Sequence, residues 1–413
     1  MAVNRRMAVF LWILVSVFYA YQYIFRVLPN LIVPEMISIF GIGAENIGNL
    51  GIYYIGYGFT HIPLGILADR FSAKKVIPVC ILLCSLGNLP LIMSDSWSAT
   101  VWGRLVVGIG SSAAPIALFK VISQYFNERL FERLLGASVA FGLIGAVFGG
   151  EPLQAAFDTY TWQVVLKYTI YFGILLSIIT FFFMPKEENT IEENEESSIW
   201  SDVKMVLTSK QVLALSLLGG FMLGPLEGFA DVWGKEFFIQ VYNYDSDIAA
   251  RLPSLIFLGM IVGCLFIGHI SSKTKAYFGI PIFAGLVMGG VFTAVLVLKC
   301  PCALMYLLFS VVGVLSAYQI VIIYKATTYM PKRLTGMTSA VTNSIIMAFG
   351  FIFHKVIGSM MSKFSIVLND AVHYPEEAFI KALAIIPIGL FLGAFGLVIL
   401  RIKDSKQTHE TKD

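Results

Sequence analysis

Three ionisable residues of this 413-residue chain stand where charge is costly: Arg26 falls within the first long apolar run, and Glu227 and Asp231 fall within the seventh. An ionised side chain in such a run is expensive unless it meets a partner or a water-filled cavity, so its default reading is functional. Tyr19, Tyr23 and Arg26 are spaced by four and three residues and therefore share one helix face. Two phenols and a guanidinium on one face suit a small organic solute, with Arg26 able to grip a carboxylate through two parallel hydrogen bonds. The other use of such residues is a tyrosine belt with the arginine reaching toward the lipid headgroups.

Glu227, Asp231 and Lys235 follow Gly224-Pro225 at four-residue intervals. That spacing permits a plain ion ladder in which Lys235 neutralises Asp231. It also permits proton chemistry, because a carboxyl withdrawn from water can take up and release a proton as its surroundings change. Glu227, the deeper acid, is expected to be the proton site, with Asp231 and Glu151 as alternates. Arg104 is either a coupling or gating charge or a structural arginine satisfied by carbonyls of the first run. Tyr53, Tyr57, Tyr318, Gln319 and Asn343, with Tyr54, Tyr324 and Ser344 beside them, could bring hydrogen-bonding groups to an otherwise apolar pocket. Tyrosines at helical spacing serve packing equally well. His61, His354 and Lys355 lie near the ends of their runs and are expected to anchor helices.

Other chemistries find little support. Cys80, Cys84, Cys264, Cys300 and Cys302 are too scattered for a disulfide framework, and no spacing fits a metal, so neither metal nor cofactor is expected. Cys300-Pro301-Cys302 reads as a tight loop. There is no nucleotide loop between strand and helix and no catalytic constellation, so an enzyme is not expected.

The elements that must position these residues follow from composition. Hydrophobic residues make up 57% of the chain and charged residues 13%, with a mean hydropathy of +0.80. A soluble chain of this length does not have that balance, which makes the lipid bilayer its solvent. Runs of about 20 apolar residues, enough to cross the hydrocarbon core, number twelve, from 8–38 and 46–68 through 210–240 to 336–360 and 378–401. The first exceeds the core of a signal peptide and lacks a small-residue cleavage site, so it is expected to be a mature span. Bases gather in every second loop, at Arg5 and Arg6, Arg70 and Lys74, Arg129 and Arg133, Lys273 and Lys275, and Lys332 and Arg333. This places both termini in the cytoplasm. The net charge of +3 is then a topology signal, and no nucleic-acid partner is expected. Between Pro185 and Lys210, Glu187, Glu188, Glu192, Glu193, Glu195 and Glu196 cannot bury a core. They mark 185–209 as an acidic cytoplasmic linker between six-span halves at 1–184 and 210–402, with 403–413 as a cytoplasmic tail.

The break between the second and third runs reads Gly65-Ile66-Leu67-Ala68-Asp69-Arg70-Phe71-Ser72-Ala73-Lys74-Lys75. It resembles the corresponding loop of the major facilitator superfamily, in which Gly, three apolar or small residues, Asp and Arg precede two variable positions and a basic cluster. Ser72 stands where the family prefers Gly, and Ala73 where it prefers a base. Gly65 would let a neighbouring helix approach, Asp69 would cap an adjacent helix N-terminus, and the bases would stay cytoplasmic. Gly65, Asp69, Arg70 and Lys74 are thus the gating candidates. The second half offers only a weak echo, Gly268 to Lys275, with Ser272 in place of the acid. Arg104-Leu105-Val106-Val107-Gly108-Ile109-Gly110 is similar to the family's Arg-x-x-x-Gly-x-Gly signature, whose arginine is associated with proton coupling. Gly142, Gly145, Gly149 and Gly150 allow close helix packing, but Gly149-Gly150-Glu151-Pro152 has the wrong order for the antiporter signature. The stretch Tyr19 to Asn30, with Pro34 behind it, is similar to the first span of the phagosomal nutrient transporters of intracellular bacteria, which take up amino acids or nucleosides.

These resemblances imply an all-α integral membrane protein of twelve transmembrane helices, in two six-helix bundles with pseudo-two-fold symmetry around a central cavity. They imply a monomeric secondary transporter of the inner membrane, moving a small polar solute such as an amino acid or similar zwitterion by alternating access with proton symport. Uncoupled diffusion, efflux of another metabolite, and a non-transporting receptor are the alternatives. If Asp69 latches onto the start of the eleventh run near Gly336 in the outward-open state, Asp69→Asn shifts the population toward inward-facing forms. Labelling of cysteines placed on each side should report that shift, and unchanged accessibility on both would reduce the stretch to a topology signal.

Overall fold

The computed structural model describes residues 4–185, 196–368 and 371–410. Among them, eleven helices are long and apolar enough to cross a membrane. They comprise Arg5–Leu31, Ala73–Met93, Trp97–Tyr125, Leu134–Thr159, Trp162–Phe183, Lys210–Tyr242, Ser246–Thr274, Gly279–Val297, Cys302–Thr327, Thr335–Lys363 and Glu376–Ser405. Ile52–Phe71 is a further helix between the first two. Its hydropathy is lowered by Tyr53, Tyr54, Tyr57, Thr60, His61, Asp69 and Arg70. With it the spans number twelve and are named below by their order. A short antiparallel hairpin follows the eleventh span, pairing Ile366–Leu368 with Ala371–His373.

Two segments differ from the expectation. The acids from Glu187 to Glu195 lie outside the described residues, but Glu196–Thr208 is a helix, not a wholly solvated linker. Val203 and Val206, three residues apart, bury one stripe of it beside the seventh and eleventh spans. The expected boundary at 402 falls inside a helix, Ile385–Glu410. Asp404 ties that extension to the tenth span, accepting from the Tyr329 hydroxyl at 2.6 Å and pairing with Lys325 at 3.1 Å.

The fourth span joins three neighbours through its signature residues. Arg104 donates to the Phe25 carbonyl of the first span at 2.6 Å. Gly108 presses on the Tyr53 carbonyl of the second span, and Gly110 on the Cys80 carbonyl of the third. In the fifth span, Gly145 lies against the Ala20 carbonyl and Gly142 against the Tyr19 ring. Hydrogen-only side chains allow such backbone contact, which is how helices gain packing energy in lipid.

The halves meet at the end of the bundle opposite the chain termini. There the fifth span packs on the eighth, the second on the eleventh, and the end of the first on the seventh. At the end that carries the termini, Gly65, Gly268 and Gly336 border open space. Gly65 therefore makes no close helix approach in this conformation. The side chains of Asp69 and Arg70 lie outside the described ones, whereas Lys74 donates to the Met184 carbonyl at 2.8 Å, within its own half.

A side chain at Gly145 must push the first span away. Gly145→Val should cost on the order of 1–3 kcal/mol. Gly136, in the same helix but facing open space, should instead gain roughly 0.5–1 kcal/mol as Gly136→Ala. Thermal unfolding in detergent compares the two, and equal melting temperatures would discount the glycine packing.

Candidate functional site

The seventh span is not one continuous α-helix. Lys210–Gly228 is α-helical, Phe229–Trp233 is a π turn, and Gly234–Tyr242 resumes the α form. Pro225, within the first segment, has no N–H to give to the helix ladder, which weakens the register just before the slip. A π turn inserts one residue and rotates everything beyond it. Glu227, before the slip, and Asp231, within it, face the first and second spans, while Lys235, beyond it, points elsewhere.

Arg26 is the centre of the site. It pairs with Glu227 and, through Nε, with Asp231 at 3.3 Å. The Tyr54 hydroxyl donates to Glu227 Oε2 at 2.7 Å, bonds Asp231 as well, and accepts from Arg26 Nε at 3.1 Å. The guanidinium carbon lies 5.2 Å from the ring centroids of both Tyr23 and Tyr54, a cation–π arrangement on both rings. All these residues are buried, Arg26 at 4% and Asp231 at 1% exposure. The network crosses the seam, since Arg26 and Tyr54 come from the first half and the two acids from the second.

Around it, Tyr19 and Tyr23 meet edge to face at 5.4 Å, and Tyr53 stacks on Tyr57 at 6.0 Å. The Tyr53 hydroxyl donates to Gln22 Oε1 at 2.9 Å. These residues lie together at the first and second spans. Tyr318, Gln319 and Asn343 do not join them through any hydrogen bond among the described residues. Tyr318 faces the Gly219 carbonyl at 3.3 Å, and Gln319 donates to Asn343 at 3.1 Å, all within the second half. Tyr324 is half exposed beside Tyr277.

The ion-ladder alternative is not formed. Lys235 donates to the Leu31 carbonyl at 3.1 Å and to Gln154 Oε1 at 2.7 Å, and its main-chain N–H donates to Asn30 at 3.0 Å. Glu151 is also separate from the central acids, since it pairs with Arg251 of the eighth span, which donates onward to the Tyr306 hydroxyl at 3.2 Å. Arg104, beyond its bond to Phe25, reaches the Arg26 carbonyl at 3.5 Å and lies 5.0 Å from the Tyr53 ring. Its observed partners are thus the carbonyls of the structural alternative, and they fix the end of the span that presents Arg26.

His354 was expected at a helix end, yet it is buried on the seam with its ring 5.6 Å from Tyr54. The signal available was its position eleven residues after Asn343, about three turns and so on the same helix face. Lys355, next to it, does sit at the margin, donating to Asn49 at 2.5 Å. Arg251 gave no signal beyond its charge. Among the described residues no cluster of His, Cys, Asp and Glu could hold a metal.

The profile of the Major Facilitator Superfamily matches residues 11–354. An uncharacterized transporter of Buchnera aphidicola subsp. Schizaphis graminum is 25% identical over 219 residues, 52% of this chain and 54% of that one, so the match takes in about half of that relative's length. The uncharacterized MFS-type transporter YdgK of Bacillus subtilis is 22% identical over 351 residues, 82% of this chain and 83% of its own. A bacterial homolog to the human lysosomal transporter Spinster, solved inward-facing and unoccupied, has the same fold, with a TM-score of 0.74 at 15% identity over 96% of each chain. The chain is a multi-pass membrane protein and belongs to the Major Facilitator Superfamily.

Proposed function

We propose that this transporter is a proton symporter for a small zwitterionic solute, an amino acid or a close relative, taken up across the inner membrane. The observation that carries the reading is the buried network of Arg26, Glu227, Asp231 and Tyr54 across the seam. Arg26 has the planar donor fork that recognises a carboxylate, and here two protein carboxylates occupy it. A solute carboxylate must compete with them. Tyr54 has a single hydroxyl proton for the two acids, so a second proton on Glu227 relieves the crowding of negative charge and frees guanidinium N–H groups for the solute. The proton and the solute then enter together, because each makes room for the other. Tyr19, Tyr23, Tyr53 and Tyr57 line the same region with rings and hydroxyls.

On this reading the halves 1–184 and 210–402 are the two moving bundles of a monomer, and the termini lie in the cytoplasm. The end closed by the fifth, eighth, second and eleventh spans is then external, and the conformation is inward-facing, as the Spinster homolog's structure is. Glu151 with Arg251, and Lys235 with Gln154, belong to the external closure and take no part in the proton step.

Two measurements in proteoliposomes test the reading. Glu227→Gln should abolish acceleration of uptake by an inward proton gradient while counterflow continues, and acceleration that persists would sink the assignment of Glu227. Arg26→Lys keeps the charge but loses the fork, and should raise the KM for the solute by about tenfold or more, equivalent to about 1.4 kcal/mol. An unchanged KM would remove Arg26 from solute binding.

A further inference from the structure

His354 is 2% exposed; among the described residues no side chain bonds its ring nitrogens, and the ring faces the main chain of Glu227. A neutral imidazole has one donor and one acceptor to satisfy, and leaving such groups unmet in a dry interior is costly. The residue sits where the halves touch: its main chain presses on Gly48 and its Cβ on Gly51, with no side chain between. The groups around the ring are Tyr54 of the second span, Arg26 of the first, Arg104 of the fourth, and Glu227 and Asp231 of the seventh, reached through Tyr54.

We propose that His354 is the residue through which protons from the external face enter the network, and that the seam at Gly48 and Gly51 closes only over its neutral form. This rests on the symport reading. When the second and eleventh spans part at these glycines, the ring meets external water and titrates in the ordinary imidazole range. When they close, an imidazolium there would be an unpaired buried charge beside two guanidinium groups, which is strongly unfavourable. Closure therefore requires the proton to leave. The acceptors in the same cluster are Glu227 and Asp231: an N–H bond of the imidazolium breaks, a carboxyl O–H bond forms, and the ring returns to its neutral state with no change of oxidation state. Bare glycine at 48 and 51 then has an explanation, because a side chain at either position would hold the seam open.

The full chain in liposomes tests this with two probes. Uptake of a mixture of radiolabelled L-amino acids is followed against external pH, with the internal pH held constant. In the wild type uptake should rise as external pH falls through about 6.5, and in His354→Gln that inflection should disappear. Stimulation of the wild type with an unchanged inflection in His354→Gln overturns the role of His354 alone. A wild type indifferent to external pH overturns the symport reading and this inference with it. Diethyl pyrocarbonate, which modifies neutral imidazole, is the second probe and is read by peptide mass in protein that retains His354. Gly48→Trp, which wedges the seam, should raise modification of His354 by about tenfold or more, with His61, inside the first half, as the internal reference. Its rate should fall on acidification through about pH 6.5. Equal modification in the two proteins, or a rate without that inflection, overturns the proposal.

Discussion

A guanidinium cannot be left alone in a hydrocarbon core. Moving a charge from water into a low-dielectric interior costs several kcal/mol even after relaxation, so whatever satisfies Arg26 must be there whenever the protein is closed around it. In this structure the partners are Glu227, Asp231 and the Tyr54 hydroxyl, and much of the surrounding architecture follows from delivering them. Arg104 holds the carbonyls at the end of the first span and so sets where Arg26 points. The seventh span delivers both acids to that point, and its π turn rotates the lysine beyond them toward a different set of acceptors. Gly108 lets the second span lie close enough to the fourth for Tyr53 and Tyr54 to flank the pair of arginines.

The charged members of the buried network were legible in the sequence wherever charge interrupts an apolar run, because such a charge needs a partner. Arg26, Glu227 and Asp231 announce themselves in this way. Their pairing was not legible. The four-residue spacing holds for Glu227 and Asp231, which meet the same partners, but the π turn takes Lys235 off that face. His354 stayed hidden for a related reason. A histidine near the end of an apolar run looks peripheral, and only the crossing of the second span over the eleventh at Gly48 and Gly51 makes it central. Tyr318, Gln319 and Asn343 bond within their own half instead of to the Arg26 network, and polarity alone does not reveal which partners such residues take. The helices themselves were readable throughout, except that Glu196–Thr208 and the extension to Glu410 are too polar to register as apolar runs.

The two ends of the bundle differ in kind. The closed end is held by polar contacts across the seam, with Arg251 on Glu151 and Lys235 on Gln154 and Leu31, supported by Gly358 against the Ala44 carbonyl. The Arg251–Glu151 pair is partly exposed, and a polar contact near water can be exchanged at little net cost. The other end has its motif glycines, Gly65 and Gly336, bordering open space.

The division of buried charge between the halves has a consequence for how the protein is made. Among the described residues, the fully buried charged side chains are Arg26 and Arg104 in the first half, and Glu227, Asp231, Glu236 and Lys235 in the second. That is two positive charges against a net two negative. Each half alone is an ion dissolved in lipid, and each is the counter-ion of the other. Docking of the two bundles is therefore a neutralisation of Arg26 as much as a packing event.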